Sequence, residues 1–223
     1  MREVLIILLV FAFILATIIV PIVIFWKVMM NSAQKRITGA AERQKTLQNA
    51  VQETLKNTGF NIDKSIYIQM PTERFDLKRE WIPAIDCFLY VDDKNKKWAI
   101  AQRGSTTPKI FNYSDFTGFD VEVNGKNAGN TQNNAIVGFI FGGLIGAAAG
   151  AMFTKRYGTI KQMTMKIRVN DLQNPVIEVP VITAPLNGFN ENDKGLPFIM
   201  TFASNVEQTF GYINDNKYAI ANL

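Results

Sequence analysis

The feature that most constrains this chain is an apolar run near its amino end, which carries no charged side chain from Val4 to Trp26. A helix needs about 20 apolar residues to cross the hydrocarbon core of a bilayer, so this run is long enough. Trp26 and Lys27 end it with an interfacial aromatic ring and a cation that can reach the headgroups. We therefore expect a transmembrane anchor over residues 1–30, marked by Val4, Trp26 and Lys27.

A cleaved signal peptide is the competing interpretation of this run. Its apolar core would be shorter, about 7–15 residues, and a small-x-small cleavage site would follow it. Asn31-Ser32-Ala33 resembles such a site only loosely, which favours an uncleaved anchor. Most of the flanking Lys and Arg residues follow the run, so the positive-inside tendency places the bulk of the chain in the cytoplasm.

Residues 31–59 are predicted to form a juxtamembrane amphipathic helix. Asn31 or Ser32 can cap its start, and Gly59 is well placed to end it. Its narrow apolar stripe predicts packing on the protein's own domain, with self-association beside the membrane as the alternative. The stripe consists of Ile37, Ala40, Gln44, Leu47, Val51 and Leu55.

Composition excludes several classes of enzyme. The chain has no His and one Cys, which removes the commonest general base, an intrachain disulfide and any Cys-based zinc site. We expect no metal, no cofactor and no catalytic residue, and Cys87 reads as a small buried hydrophobe. An enzyme remains an alternative only if acidic residues were catalytic. The candidate acids lie at predicted strand ends and turns, where solvated carboxylates are common. These acids are Asp86, Asp92, Asp93, Asp115 and Asp120.

Charge does not indicate nucleic-acid binding. The net charge is +5, from 24 Lys and Arg against 19 Asp and Glu. The basic residues are interleaved with acids, as in residues 92–97, and no basic stripe carries stacking aromatics. We expect a solvated surface beside an anionic membrane and no nucleic-acid partner.

The region after Gly59 reads as antiparallel strands followed by a helix. Asn124-Gly125 is a hairpin-type turn, and Pro180 moves its strand towards a sheet edge. Residues 196–216 have helical spacing, with one apolar face. The pattern predicts an α+β fold over residues 60–223, in which a C-terminal amphipathic helix covers a small antiparallel β-barrel. The predicted strands are residues 61–70, 85–91, 97–102, 109–113, 116–123, 159–170 and 176–182.

A glycine ladder interrupts these strands over residues 133–154. Glycines four residues apart lie along one helix face, where another helix can approach closely. A dinucleotide-binding loop is disfavoured, because Phe141 stands where the first Gly is needed and no Walker pattern occurs. The predicted helix-packing residues are Gly138, Gly142, Gly143, Gly146 and Gly150.

The ladder raises a question of topology. If it crossed the membrane once, the strands before and after it would lie on opposite sides as two marginal half-domains. We therefore expect both sets of strands on one side, in one domain. The glycine segment would then turn back near Gly142-Gly143 or Gly146, or would pack without crossing.

The order of these segments resembles a group of uncharacterised bacterial and phage membrane proteins, in which a pleckstrin-homology-like β domain is interrupted by a glycine-zipper helical insert. The best matches are Tyr113-Ser114-Asp115-Phe116, the ladder from Gly138 to Gly150, and Asn174-Pro175. The resemblance implies a membrane-anchored scaffold or binding module at a bacterial inner membrane, with no agreed catalytic residues. A homo-oligomer, the lipid bilayer and a protein or lipid ligand are the expected partners. A pore-forming or membrane-perturbing factor, of toxin or phage-exclusion type, is the alternative function.

Overall fold

The computed structural model describes residues 2–68, 87–102, 104–130, 158–183, 188–190, 193 and 195–217. These fall into two compact units, which are described separately. The first unit contains the described helical residues up to Arg43. The second begins at Gln44 and contains all of the strands and the last helix.

Helix α1 runs without interruption from Arg2 to Asn57. The expected start of a second helix at Asn31 or Ser32 is therefore wrong. Ser32 lies inside α1, and its hydroxyl donates to the Val28 carbonyl oxygen one turn earlier, at 3.0 Å. No proline follows the apolar run within α1, and a single glycine costs a helix only about 1 kcal/mol, so nothing in the sequence ends the first segment.

Helix α1 ends in a Schellman motif around Gly59, as predicted. Gly59 adopts a left-handed conformation, with φ of +75°. Its N–H donates to the Lys56 carbonyl at 3.0 Å, and the Phe60 N–H donates to the Leu55 carbonyl at 3.1 Å. The Leu55 and Phe60 side chains belong to one buried cluster, which is the apolar contact that accompanies this motif.

The strands form two four-stranded antiparallel sheets. Sheet 1 has the order β1-β2-β3-β4 and sheet 2 the order β6-β5-β7-β8. A short 3-10 helix, Tyr113–Asp115, separates the two sheets along the chain. The strands are β1 (Lys64–Tyr67), β2 (Cys87–Asp92), β3 (Lys97–Gln102), β4 (Lys109–Asn112), β5 (Phe116–Val123), β6 (Lys126–Asn130), β7 (Gln162–Val169) and β8 (Val176–Thr183), and helix α2 spans Leu196–Asn216.

The predicted small β-barrel is not closed in the part of the chain that the structure describes, where the strands form two separate sheets. No hydrogen-bonded ladder there joins sheet 1 to sheet 2. Strand β4 pairs with β3 and the chain then enters the 3-10 helix, where the Asp115 carboxylate accepts a hydrogen bond from the Asn112 N–H at 2.7 Å. This turn ends the first sheet before β5 begins the second.

Sheet 1 is covered on both faces, which explains why β2 is buried along its whole length. Phe88 and Tyr90 face the end of α1, where they pack with Val51 and Leu55. The alternate β2 side chains point to the opposite face, because successive residues of a strand alternate. The C-terminal part of the predicted α1 stripe, with Leu47, Val51 and Leu55, therefore packs on sheet 1.

The second core lies where α2 meets both sheets. The Phe210 ring of α2 lies 5.0 Å from the Trp98 ring in sheet 1. It also stacks on Phe116 of sheet 2, with centroids 4.9 Å apart. One aromatic side chain of α2 thus contacts both sheets. The buried apolar face of α2 includes Ile199, Phe202, Val206, Phe210 and Ile213.

Candidate membrane anchor and insert stem

The apolar part of α1 exposes its large side chains on every side. From Ile18 to Met29 these side chains are between 50% and 64% exposed. Trp26 is 57% exposed, and Lys27 follows it at the predicted boundary. The backbone of Val4 is part of the same helix, while its side chain lies outside the described part. A helix that is apolar all round needs an apolar environment, which the described residues of the first unit do not supply.

By length and composition, α1 is the one helix in the described part of the chain that could cross a membrane. The helical stretch that meets this test is Thr17–Asn57, and its most apolar part is unburied. A signal sequence near an amino terminus passes the same test. The helix is therefore an apolar segment suited to anchoring, and its role as an anchor belongs to the proposal below.

Strands from both sides of the glycine ladder belong to one sheet. β5 pairs with β7 in an antiparallel ladder, from Phe116 opposite Val169 to Val123 opposite Met163. β6 pairs with the other edge of β5. Both ends of the segment between residues 130 and 158, called the insert below, therefore attach to sheet 2. This agrees with the expectation that both sets of strands share one domain.

The predicted helix-packing glycines lie outside the described residues. These are Gly138, Gly142, Gly143, Gly146 and Gly150. What the structure shows is the attachment of their segment, here called the insert stem: the turn Asn124-Gly125, strand β6 and the returning residues 158–162. The Asn124 side chain bonds to that returning backbone. Sequence reasoning identified the Asn-Gly turn but missed this second role, because a turn motif gives no sign of a distant partner.

The candidate acids have local structural partners. The buried Asp92 carboxylate accepts hydrogen bonds from the backbone N–H groups of Asn61, at 2.8 Å, and Asn95, at 3.0 Å. The Asp93 carboxylate accepts from Lys96, which lowers the pKa of Asp93, and hydrogen bonds from Tyr212 and Tyr113 add to this effect. In the described residues no group of three or more His, Cys, Asp or Glu is placed to hold a metal ion. Asp86 lies outside the described part.

A charged ladder crosses the outer face of sheet 2. Asp120 of β5 pairs with Arg168 of β7. The Lys166 Nζ atom lies 2.8 Å from Glu122 Oε2 and 3.8 Å from Glu178 Oε1. The hydrogen bond with Glu122 raises the pKa of Lys166. Opposite charges on neighbouring strands stabilise the register of a sheet modestly. Each of these carboxylates has a basic partner on a neighbouring strand, while the Oδ1 atom of the buried Asp120 has no hydrogen-bond partner among the described residues.

Cys87 is a buried core residue at the start of β2. Burial alone raises the pKa of its thiol to about 12. A thiol with so high a pKa stays protonated at neutral pH and is a poor nucleophile. The structure thus agrees with the prediction of a small buried hydrophobe.

Comparison with known families identifies the strand-rich region. Residues 79–183 match the family model of the glycine zipper containing PH domain. This part of the chain is similar to a PH domain with a glycine zipper. The match runs from before β2 to the end of β8 and includes the insert. The resemblance to a PH-like domain with a glycine-zipper insert is thereby confirmed. Searches of curated proteins and of solved structures found no significant match.

Proposed function

We propose that this protein is a non-enzymatic, membrane-anchored scaffold or binding protein that self-associates through its glycine zipper. Residues 1–30 anchor it, residues 31–59 lead from the membrane, and residues 60–223 hold the PH domain with its zipper over residues 133–154 and a C-terminal helix over residues 196–216. The exposed apolar surface from Ile18 to Met29 supports the anchor. A glycine zipper is a type of segment that suits membrane or oligomer association.

The pairing of β5 with β7 is the observation that carries the proposal. Because both ends of the insert attach to one sheet, the insert must leave the PH domain and return to it on the same side of any membrane. A single crossing would separate two hydrogen-bonded strands. The insert therefore works as a hairpin or as a segment that packs without crossing.

The cations that follow the anchor support a cytoplasmic PH domain at a bacterial inner membrane. The engaged carboxylates and the protonated Cys87 thiol support a role without catalysis. A protein or lipid ligand of the PH domain completes the proposal. No nucleic acid is involved, since the strand-rich region carries acids among its bases.

Self-association is tested by filling the glycine face. In the full chain in detergent, Gly142→Leu combined with Gly146→Leu should convert the oligomer to monomer, as measured by light scattering. Ala148→Leu is the matched control, because it adds the same side chain about 200° around a helix from Gly146. An unchanged particle mass in the double variant would contradict the proposal. Dye leakage from liposomes carrying the wild-type chain would instead indicate the pore-forming alternative.

A further inference from the structure

The corner of sheet 2 where the insert is attached is built around one side chain. Asn124 and Gly125 follow β5 with φ of +50° and +75°, which is the backbone of a tight two-residue hairpin turn into β6. β6 leads directly into the insert. The returning chain passes the same turn at residues 159–162, before it continues as β7.

Asn124 bonds to this returning chain with both ends of its amide. Its Nδ2 donates to the Thr159 carbonyl at 2.9 Å. Its Oδ1 accepts from the Lys161 N–H at 2.8 Å and from the Gln162 N–H at 3.2 Å. The Asn124 side-chain amide bonds to a carbonyl and an N–H two residues apart, as the backbone of a neighbouring strand would. The side chain thus continues the ladder of β5 after the backbone has turned away.

The returning chain is held on its other side as well. Ile160 exchanges two backbone hydrogen bonds with Phe189, at 2.9 and 2.7 Å. Gly188, with φ of +64°, allows this approach: a Cβ there would lie 2.5 Å from Thr159 Cγ2 and 3.0 Å from the Ile160 carbonyl oxygen. The returning chain at the end of the insert is therefore held between Asn124 and Phe189. Of these two residues, Asn124 also belongs to the turn that leads through β6 into the insert.

We propose that Asn124 is a positioning residue that closes the insert stem and so fixes the geometry in which the glycine zipper is presented to a second copy. The second part of this inference rests on the proposed function. A turn alone would accept Gly or Asp, since both tolerate a positive φ. Of these residues, only Asn has the donor and the acceptor that the returning backbone requires.

The test compares the full-length wild type with Asn124→Gly, which keeps the turn and removes the side-chain bonds. Amide hydrogen exchange in the stretch containing Lys161 and Gln162 should become roughly tenfold faster, because both N–H groups lose their acceptor. The oligomer of the variant should dissociate at a higher protein concentration than that of the wild type. The circular dichroism spectrum should stay that of the folded wild type. Lys96→Gly is the matched control, since Lys96 also has a positive φ, of 51°, in a different hairpin.

Unchanged exchange at Lys161 and Gln162 would overturn the stem closure. Faster exchange with an unchanged oligomer would overturn the positioning role. A monomeric wild type would refute the proposed function itself, and exchange alone would then decide whether Asn124 closes the stem. If Asn124→Gly does not fold, Asn124→Asp replaces it, because Asp keeps the turn and the acceptor but loses the donor to Thr159. A weakened oligomer then supports the inference and an unchanged one overturns it.

Discussion

Asp93 joins three elements of the second unit through a single carboxylate oxygen. Its Oδ1 accepts from Lys96 in the β2–β3 turn at 2.8 Å, from the Tyr113 hydroxyl of the 3-10 helix at 3.2 Å and from the Tyr212 hydroxyl of α2 at 3.0 Å. These donors stabilise the ionised form, so the pKa of Asp93 is lower in the folded protein than in the unfolded chain. The network therefore links the stability of this corner to pH.

Asp93→Asn should lower the free energy of unfolding at pH 7 by about 0.5–1 kcal/mol, a modest value because the Asp93 side chain is 41% exposed. The lowered pKa means that the contribution is complete above the unfolded pKa, about 3.9, and is lost as pH falls through the folded pKa. Urea titrations at pH 7 and pH 2.5 check this, with Glu53→Gln at an exposed site as control. The prediction would be contradicted if the wild type and Asp93→Asn differed in free energy of unfolding by the same amount at both pH values.

Residues differ in how far the sequence reveals their role. Gly59 could be predicted, because a glycine after a helical stretch has a local cause that requires no partner. Asn124 and Asp93 could be placed in turns, but their hydrogen bonds reach residues 35 and 119 positions away. Such partners depend on how the sheets pack, which spacing along the chain does not encode.

At the scale of elements, the end of α1 packs on strand β2, and this packing explains the apolar sequence of both. The run from Cys87 to Val91 has no polar face because α1 covers one side and the second core covers the other. The sequence identified both elements and the antiparallel strands. It did not show that the strands form two separate sheets, because strand pairing is a long-range property. Helix α1 was likewise predicted as two segments, an anchor over residues 1–30 and a helix over residues 31–59, whereas the structure has one continuous helix.

Leu55→Ala should destabilise the second unit by about 2–5 kcal/mol, because Leu55 is fully buried between α1 and sheet 1. The neighbouring Lys56→Ala, at an exposed position, should change the free energy of unfolding by no more than about 0.5 kcal/mol. Chemical unfolding of both variants in detergent gives the comparison. Equal stabilities would mean that α1 does not dock on the sheet.

At the scale of the whole molecule, the PH domain constrains how the chain can meet a membrane. Sheet 2 contains strands from before and after the insert, so its hydrogen bonds require that both strands lie on the same side of any membrane. The glycine ladder could be read from the sequence. Because a single crossing would leave two marginal half-domains, the sequence also predicted that both sets of strands share one domain. The pairing of β5 with β7 could not be predicted, because it is a contact between residues far apart in the sequence.

Single cysteines placed at Ala135 and Phe153 in a Cys87→Ser background should react with an impermeant maleimide added to the same side of sealed vesicles. Leu172→Cys gives the reference for that side, because Leu172 is fully exposed on the PH domain. Wild-type Cys87 should remain unlabelled until the protein unfolds, as its burial and raised pKa require. Labelling of the two insert positions from opposite sides would contradict the topology.

The joining of both insert ends at one corner of sheet 2 also bears on how such a protein can diversify. The entropic penalty for closing a loop grows only with the logarithm of its length, so replacing a five-residue connection by one of about 27 residues costs roughly 1.5 kcal/mol. A sheet that tolerates this connection tolerates others of different length and composition. By this estimate, sheet 2 can accept connections of different length at this corner while β5 and β7 retain their register.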